Sequence, residues 1–504
     1  MKNLKTKVTL AFLLTGTVIY LSCTSQNSTP TSTPTSTYTT AVGEVNKQIS
    51  YNLPVDVDVD ATQAELANFA WQEFIALNWR SSYNIDQKRT LPDTSWNFET
   101  SGTQPDIAIW ETYIHRTELR PANGERTRDL SSGKPNYTFI KEDTINNGSI
   151  DINNYWNLLD EDNEIGSAYL FAHQNEFEVL YSAKCNLTEY NYIKDNYPND
   201  NLLKAASDNG MNKGVGYFKG LSKADMCNTE QGQNDGVIRL PCSDSNSEGV
   251  IEIKLAFRQL DPSKDDLSRY MTKEVVLYRS NSQTKQLDAY VENLALIGMH
   301  IIRKTENYPA FVFASFEQVD ERDKNMQTIG LDDQDPHELT PVIPRDISNT
   351  IAAVNNKMHQ QIVAANSSSL WQYYRLIGTQ ATPVDYSNRS EDENYFMANY
   401  VIESDMKLTK FHGSFADPYN DSIQNVAFDM GTYNMGGCQG CHGQAQLQFG
   451  TDFSFLLDSG VDKPVPNPDP YQTYEQALMA ANPTVALSKE QVKQLRTYIH
   501  DLDN

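Results

Sequence analysis

The chain has 504 residues, with 66 acidic side chains against 41 Lys and Arg, for a formal net charge of −25. That balance argues against nucleic acid and against anionic membrane surfaces, which select cationic proteins. Hydrophobic residues make up 39% and aromatics 10%, so large cores are accessible and only compositionally biased segments should lack one.

The N-terminus carries Lys2, Lys5 and Lys7 and then an apolar run from Val8 to Leu21, the charged and hydrophobic parts of a secretory signal. The run is too short to span a bilayer comfortably. Leu21-Ser22-Cys23-Thr24 resembles a bacterial lipobox, in which lipid is attached to the cysteine and the signal is cut away before it. Residues 1–22 are therefore expected to be a lipoprotein signal peptide and Cys23 the lipidation site, holding the protein in the cell envelope, at the outer membrane facing the periplasm. An ordinary signal peptide followed by an unrelated cysteine is the alternative. The Ser/Thr/Pro run from Ser28 to Thr37 has little to bury, so residues 23–45 read as a flexible tether.

Residues 46–425 read as an α+β body of mixed helices around a mostly antiparallel sheet. Asp60-Ala61-Thr62-Gln63 fits a capping box, and it opens a helix with Leu66, Phe69, Ala70, Phe74 and Leu77 on one face. The stretches 121–165 and 186–248 are rich in Asn, Asp, Ser and Gly and read as long loops or insertions. From 249 to 320 the period drops to two: Ile251, Ile253, Leu255 and Phe257 alternate with Glu252, Lys254 and Arg258, the pattern of a strand with one buried face. Ile347, Ile351, Val354, Met358 and Ile362 then return to helical spacing. His300, Glu252, Lys254, Arg258 and Glu317 face either the core or a site; a strand's polar face is usually solvated, and inward charges would need partners. His115 and His173 read as surface or satisfied core histidines.

The chemistry concentrates in "GGCQGCHG", residues 436–443. Cys-x-x-Cys-His in an exported chain reads as a covalent haem c site. Thiols at Cys438 and Cys441 can reach the two vinyl groups on one porphyrin edge, while His442 turns its imidazole onto the iron. A zinc site would want a second ligand pair, and a redox dithiol would want a strand before it instead of Gly436-Gly437. Three cysteines remain. Cys227 and Cys242 flank a polar loop and suit a disulfide, although Cys185 could replace either partner or stay a buried thiol.

Residues 426–504 are expected to be a small α-helical, cytochrome c-like segment holding one covalent haem c. Ser488 and Gln491 make a capping box, and Val492, Leu495, Tyr498, Ile499 and Leu502 share one face of a last helix. For the sixth iron ligand Met479 is preferred, since a turn at Pro483 separates it from that helix. His412 and His300 come behind it, Met435 lies too close to the thioethers, and an open position is the remaining option.

The blocks "FAWQEFIALNW", "IEIKLAFR", "IGMHIIRKTENYPAFVFASFEQVD", "MANYVIES" and "GCQGCHGQAQLQFGTDFSFLL" resemble, in that order, a family of exported bacterial cytochrome c family proteins. That resemblance spans roughly residues 64–457, and it implies a large N-terminal body with one haem motif near the C-terminus. Electron transfer with a redox partner protein is the expected function, and the acidic surface suits a basic cytochrome. The alternative is a haem-dependent periplasmic oxidoreductase whose large domain binds a substrate.

Overall fold

The computed structural model describes residues 49–161, 179–321, 328–331, 339–342, 347–382, 399, 401–402, 425–434, 437–458 and 467–471. Cys23, His173, His412, Met435, Met479 and the helix expected at 488–502 lie outside the described residues. The architecture is α+β, as the periodicities require.

In chain order the helices are α1 (Gln63–Leu77), α2 (Tyr83–Asp86), α3 (Arg116–Leu119), α4 (Leu187–Asn196), α5 (Asp200–Lys219), α6 (Lys223–Cys227), α7 (Thr229–Asp235), α8 (Asn349–Ala365) and α9 (Gly437–Gln448). The strands are β1 (Ile114–His115), β2 (Ile145–Asn146), β3 (Asn157–Leu158), β4 (Leu180–Cys185), β5 (Ile251–Arg258), β6 (Thr272–Ser280), β7 (Leu287–Arg303), β8 (Val312–Gln318), β9 (Thr328–Leu331), β10 (Leu339–Val342), β11 (Tyr374–Gln380), β12 (Asn425–Phe428) and β13 (Gly431–Asn434).

The main sheet runs β1-β4-β5-β7-β6-β3, with β8 and then β11 continuing from β7. Its long pairings are all antiparallel, and only the two-residue strands β2 and β3 pair in parallel. The 17-residue strand β7 is the spine: its first half pairs with β6, and its second half lies between β5 and β8.

One face of the sheet is the large apolar core. Ile251, Ile253, Leu255 and Phe257 from β5 meet Trp71 and Phe74 of α1 and Ile351, Met358 and Ile362 of α8. A polar staple crosses this core: Trp71 Nε1 donates to Asn355 Oδ1 at 2.9 Å, and Asn355 Nδ2 donates to the Leu376 carbonyl at 2.8 Å. Helix α1 starts two residues later than expected, with Thr62 and Glu65 forming the capping box. Residues 58–61 cannot join it, because Tyr308 donates to the Asp58 carbonyl and accepts from the Ala61 amide, which fixes a turn there.

The loop reading of residues 186–248 is wrong. Helices α4 to α7 fill much of that stretch, and the Asn and Ser residues that suggested loops are their N-caps. Asn186 accepts from Glu189, Asn199 from Leu202, Ser222 from Asp225 and Asn228 from Gln231. Short polar side chains favour helix starts as strongly as turns. By contrast, residues 121–161 are irregular apart from single 3-10 turns and two-residue strands. Cys227 and Cys242 are bonded, with Cα atoms 5.3 Å apart, and Cys185 is a fully buried free thiol.

Candidate functional site

The polar side of the central strands is largely covered, with Lys254 and His300 half-buried. Glu252 is 4% exposed and Arg258 1%, because a second layer covers this face. That layer has its own apolar cluster, in which Cys438, Val426, Phe453 and Leu457 pack with Ile302 and Phe313 of the sheet and Tyr190 and Ile193 of α4. The Cys438-x-x-Cys441-His442 motif is thus built into the body's second core.

Helix α9 carries the motif and is fastened at its start. Gly437 has φ +75°, which lets the chain turn into the helix. The Gln439 amide donates to Gln380 Oε1 at 2.8 Å, and the Gln439 side chain donates to the carbonyls of Ala310 and Ala381 at 3.2 Å each. Gly443 allows the helix to touch Val426 of β12.

The His442 ring sits between Phe313 and Phe455, each 4.9 Å away by ring centroids. Its Nδ1 lies 2.7 Å from the Phe453 carbonyl. Burial pushes His442 down to about 4, helped by the charges of His300 and Lys254 and opposed by the Phe453 carbonyl. The imidazole is therefore neutral at physiological pH.

Cys438, Cys441 and His442 line one cavity of about 800 Å³, within the ~300–1,000 Å³ typical of cofactor sites. The sheet contributes Glu252, Lys254, His300 and Ile302 to its wall. Arg258 and Glu317, grouped with these by strand position, are used elsewhere: Arg258 pairs with Asp265 and Glu321, and Glu317 with Arg375.

The same cavity is also lined by Arg116, Arg120 and Lys141, with the acidic Glu161, Asp458 and Asp469 among its other wall residues. Arg116 is already paired with Asp160 and Glu161. Arg120 is 6% exposed and donates through Nη1 to the Asp458 carbonyl, but its buried Nε has no partner. Burial disfavours its charge, and Asp200 and Asp458 only partly offset this, so an anion there would be stabilising. Two thiols, a neutral imidazole and an arginine with an unpartnered buried Nε fit a covalent haem, whose propionates are anionic.

His115 is a buried core residue, with Nδ1 2.9 Å from Thr117 Oγ1 and Nε2 3.2 Å from Asp160. The Arg116 and Arg120 part of the cavity wall is absent from the sequence reading, and no spacing in the sequence connects it with a motif at residues 438–442. The chain matches no protein-family model, and no curated protein or solved structure matches it.

Proposed function

We propose that this chain is a c-type cytochrome of the cell envelope, anchored by lipid at Cys23, that carries one covalent haem and passes electrons to and from a redox partner protein. The observation that carries the reading is that Cys438, Cys441 and His442 line a single cavity together with Arg120, whose buried Nε has no partner. Cys438 and Cys441 would attach the haem, His442 would ligate iron through Nε2, and Arg120 would receive a propionate. When bound, haem supplies a one-electron ferric/ferrous couple.

The resemblance carried by the five sequence blocks supports the same reading, as does the exported N-terminus. No helix among the described residues is long and apolar enough to cross a membrane, so the lipid is the proposed attachment. The sheet and helices hold the motif against the cavity wall.

Replacing Cys438 and Cys441 by Ala should abolish covalent haem staining of the denatured protein made in a host that attaches haem. Tightly bound zinc without haem in the wild type would defeat the proposal. Cys23→Ala should release the protein into soluble periplasm or leave an uncut precursor. The oxidoreductase reading requires an exchangeable iron position, so carbon monoxide binding by the reduced wild type would favour it over simple electron transfer.

A further inference from the structure

We infer that His300 is the second axial ligand of the haem iron, an assignment that rests on the covalent haem proposed above. Two histidines from separate layers line the same cavity: His442 on α9 and His300 on β7. Their placement follows from strand register. The His442 ring contacts Phe313, Phe313 pairs with Ile302 across β8 and β7, and both residues line the cavity. His300 is two positions from Ile302 on the same face of β7, hence about 6.6 Å along the strand.

The chemistry of the described wall narrows the donor. It carries no methionine, and its side-chain nitrogen donors outside the motif belong to His300, the lysines 141 and 254, the arginines 116 and 120, and Asn467. A guanidinium has no lone pair to give, and an amide nitrogen is a poor one. A lysine amine is ordinarily protonated at neutral pH, whereas imidazole is ordinarily neutral or close to it. Lys254, directly across the ladder from His300, lies over the Tyr181 ring at 5.2 Å.

The support is rigid. Strand β7 is held on both sides at His300, by Lys254 of β5 and Ser315 of β8, and Ser315 Oγ accepts from Asn399 at 2.9 Å. A ligand on the spine of the sheet is fixed more firmly than one on a loop. Two imidazoles on the iron would set a lower reduction potential than a histidine and methionine pair.

The test uses the full chain with covalent haem, read by optical and electron paramagnetic resonance spectra. The ferric wild type should be low spin without the near-infrared sulfur-to-iron band, and its ferrous form should not take carbon monoxide. His300→Ala should become high spin and bind carbon monoxide stoichiometrically, and added imidazole should restore the low-spin spectrum. Should His300→Ala fail to fold, His300→Met retains a ligand and should gain the sulfur band with a raised potential. A low-spin His300→Ala with an unchanged spectrum, a sulfur band in the wild type, or a high-spin wild type would each overturn the assignment. A wild type that stains for no haem overturns the cytochrome proposal itself, and this assignment with it.

Discussion

His442 Nδ1 lies 2.7 Å from the backbone carbonyl of Phe453, and because a carbonyl can only accept, the ring proton must sit on Nδ1. Nε2 then keeps the lone pair that a metal needs, with the ring orientation fixed by the second bond. The carbonyl is itself held: Asp452 and Phe453 have φ of +54° and +70°, a conformation that costs energy in non-glycine residues. Thr451 bonds the Ala445 carbonyl at 3.0 Å, and the Asp452 carboxylate takes the Leu240 amide at 2.7 Å and the buried Lys304 ammonium.

Asp452→Ala should therefore act twice. Lys304 is completely buried, and stranding its charge should cost about 3–5 kcal/mol of unfolding free energy. The Phe453 carbonyl should also drift from His442, broadening the spectrum of the attached haem. Urea titration checks the first effect, and a loss under about 1 kcal/mol would show that Lys304 has another partner.

Gly443 tests the seating of α9. A Cβ there would lie 2.6 Å from Val426 Cγ2, and a β-branched neighbour cannot swing away. Gly443→Ala should destabilise by about 1–3 kcal/mol and lower the yield of covalent haem. Adding Val426→Ala should recover much of that yield relative to Gly443→Ala alone. If the double variant is no better, the close approach is not what limits the site.

The bond between Cys227 and Cys242 closes a sequence separation of 15 residues, for which the loop-entropy account gives about 3 kcal/mol. Reductant should lower the melting temperature of the wild type and leave a Cys227→Ser/Cys242→Ser variant, already lowered, unmoved. A reductant effect that persists in the variant would implicate another thiol bond.

Much of this was legible beforehand, and the failures share a cause. The alternation of Ile251, Ile253, Leu255 and Phe257 identified the apolar face of β5, since period two alone decides it. It could not say that the other face is also covered, so it left open whether Glu252 and His300 face solvent, core or a site, whereas both line the cavity. Covering layers are set by tertiary packing of α4, α9 and residues 451–457, which no local period encodes. The caps at Asn186, Asn199, Ser222 and Asn228 were legible in principle, because each has a residue three later that closes the first turn. Weighing composition above that spacing turned four helices into a loop. The motif itself was local and needed no fold to be read.

Glu189 and Glu252 make the last expectation. Glu189 is fully buried with neither carboxylate oxygen partnered, and Glu252 is 4% exposed with Oε1 unpartnered. Burial pushes Glu252 up to about 7, with Asp452 adding to the effect. Burial also pushes Glu189 well above the ordinary carboxyl range, and Glu252 and Asp452 raise it further. Their neighbours include Asp452, whose charge is paired with Lys304, and the Cys185 thiol, which is paired in register with Glu252. A carboxyl that binds its proton more tightly when folded contributes stability fully below the unfolded value of 4.5 and loses it as pH rises through about 7. Lys184, pushed by burial from the ordinary lysine value of 10.5 down to about 7, gives the opposite slope, but only above pH 7. Between pH 4.5 and 7 the wild type should thus lose stability from this pair. Glu252→Gln, which stays neutral, should flatten the profile and leave the protein on the order of 2–3 kcal/mol more stable at pH 7. Denaturant midpoints measured at half-unit pH intervals decide it: profiles of variant and wild type that superimpose would mean that the pair is ionised and solvated in the native protein.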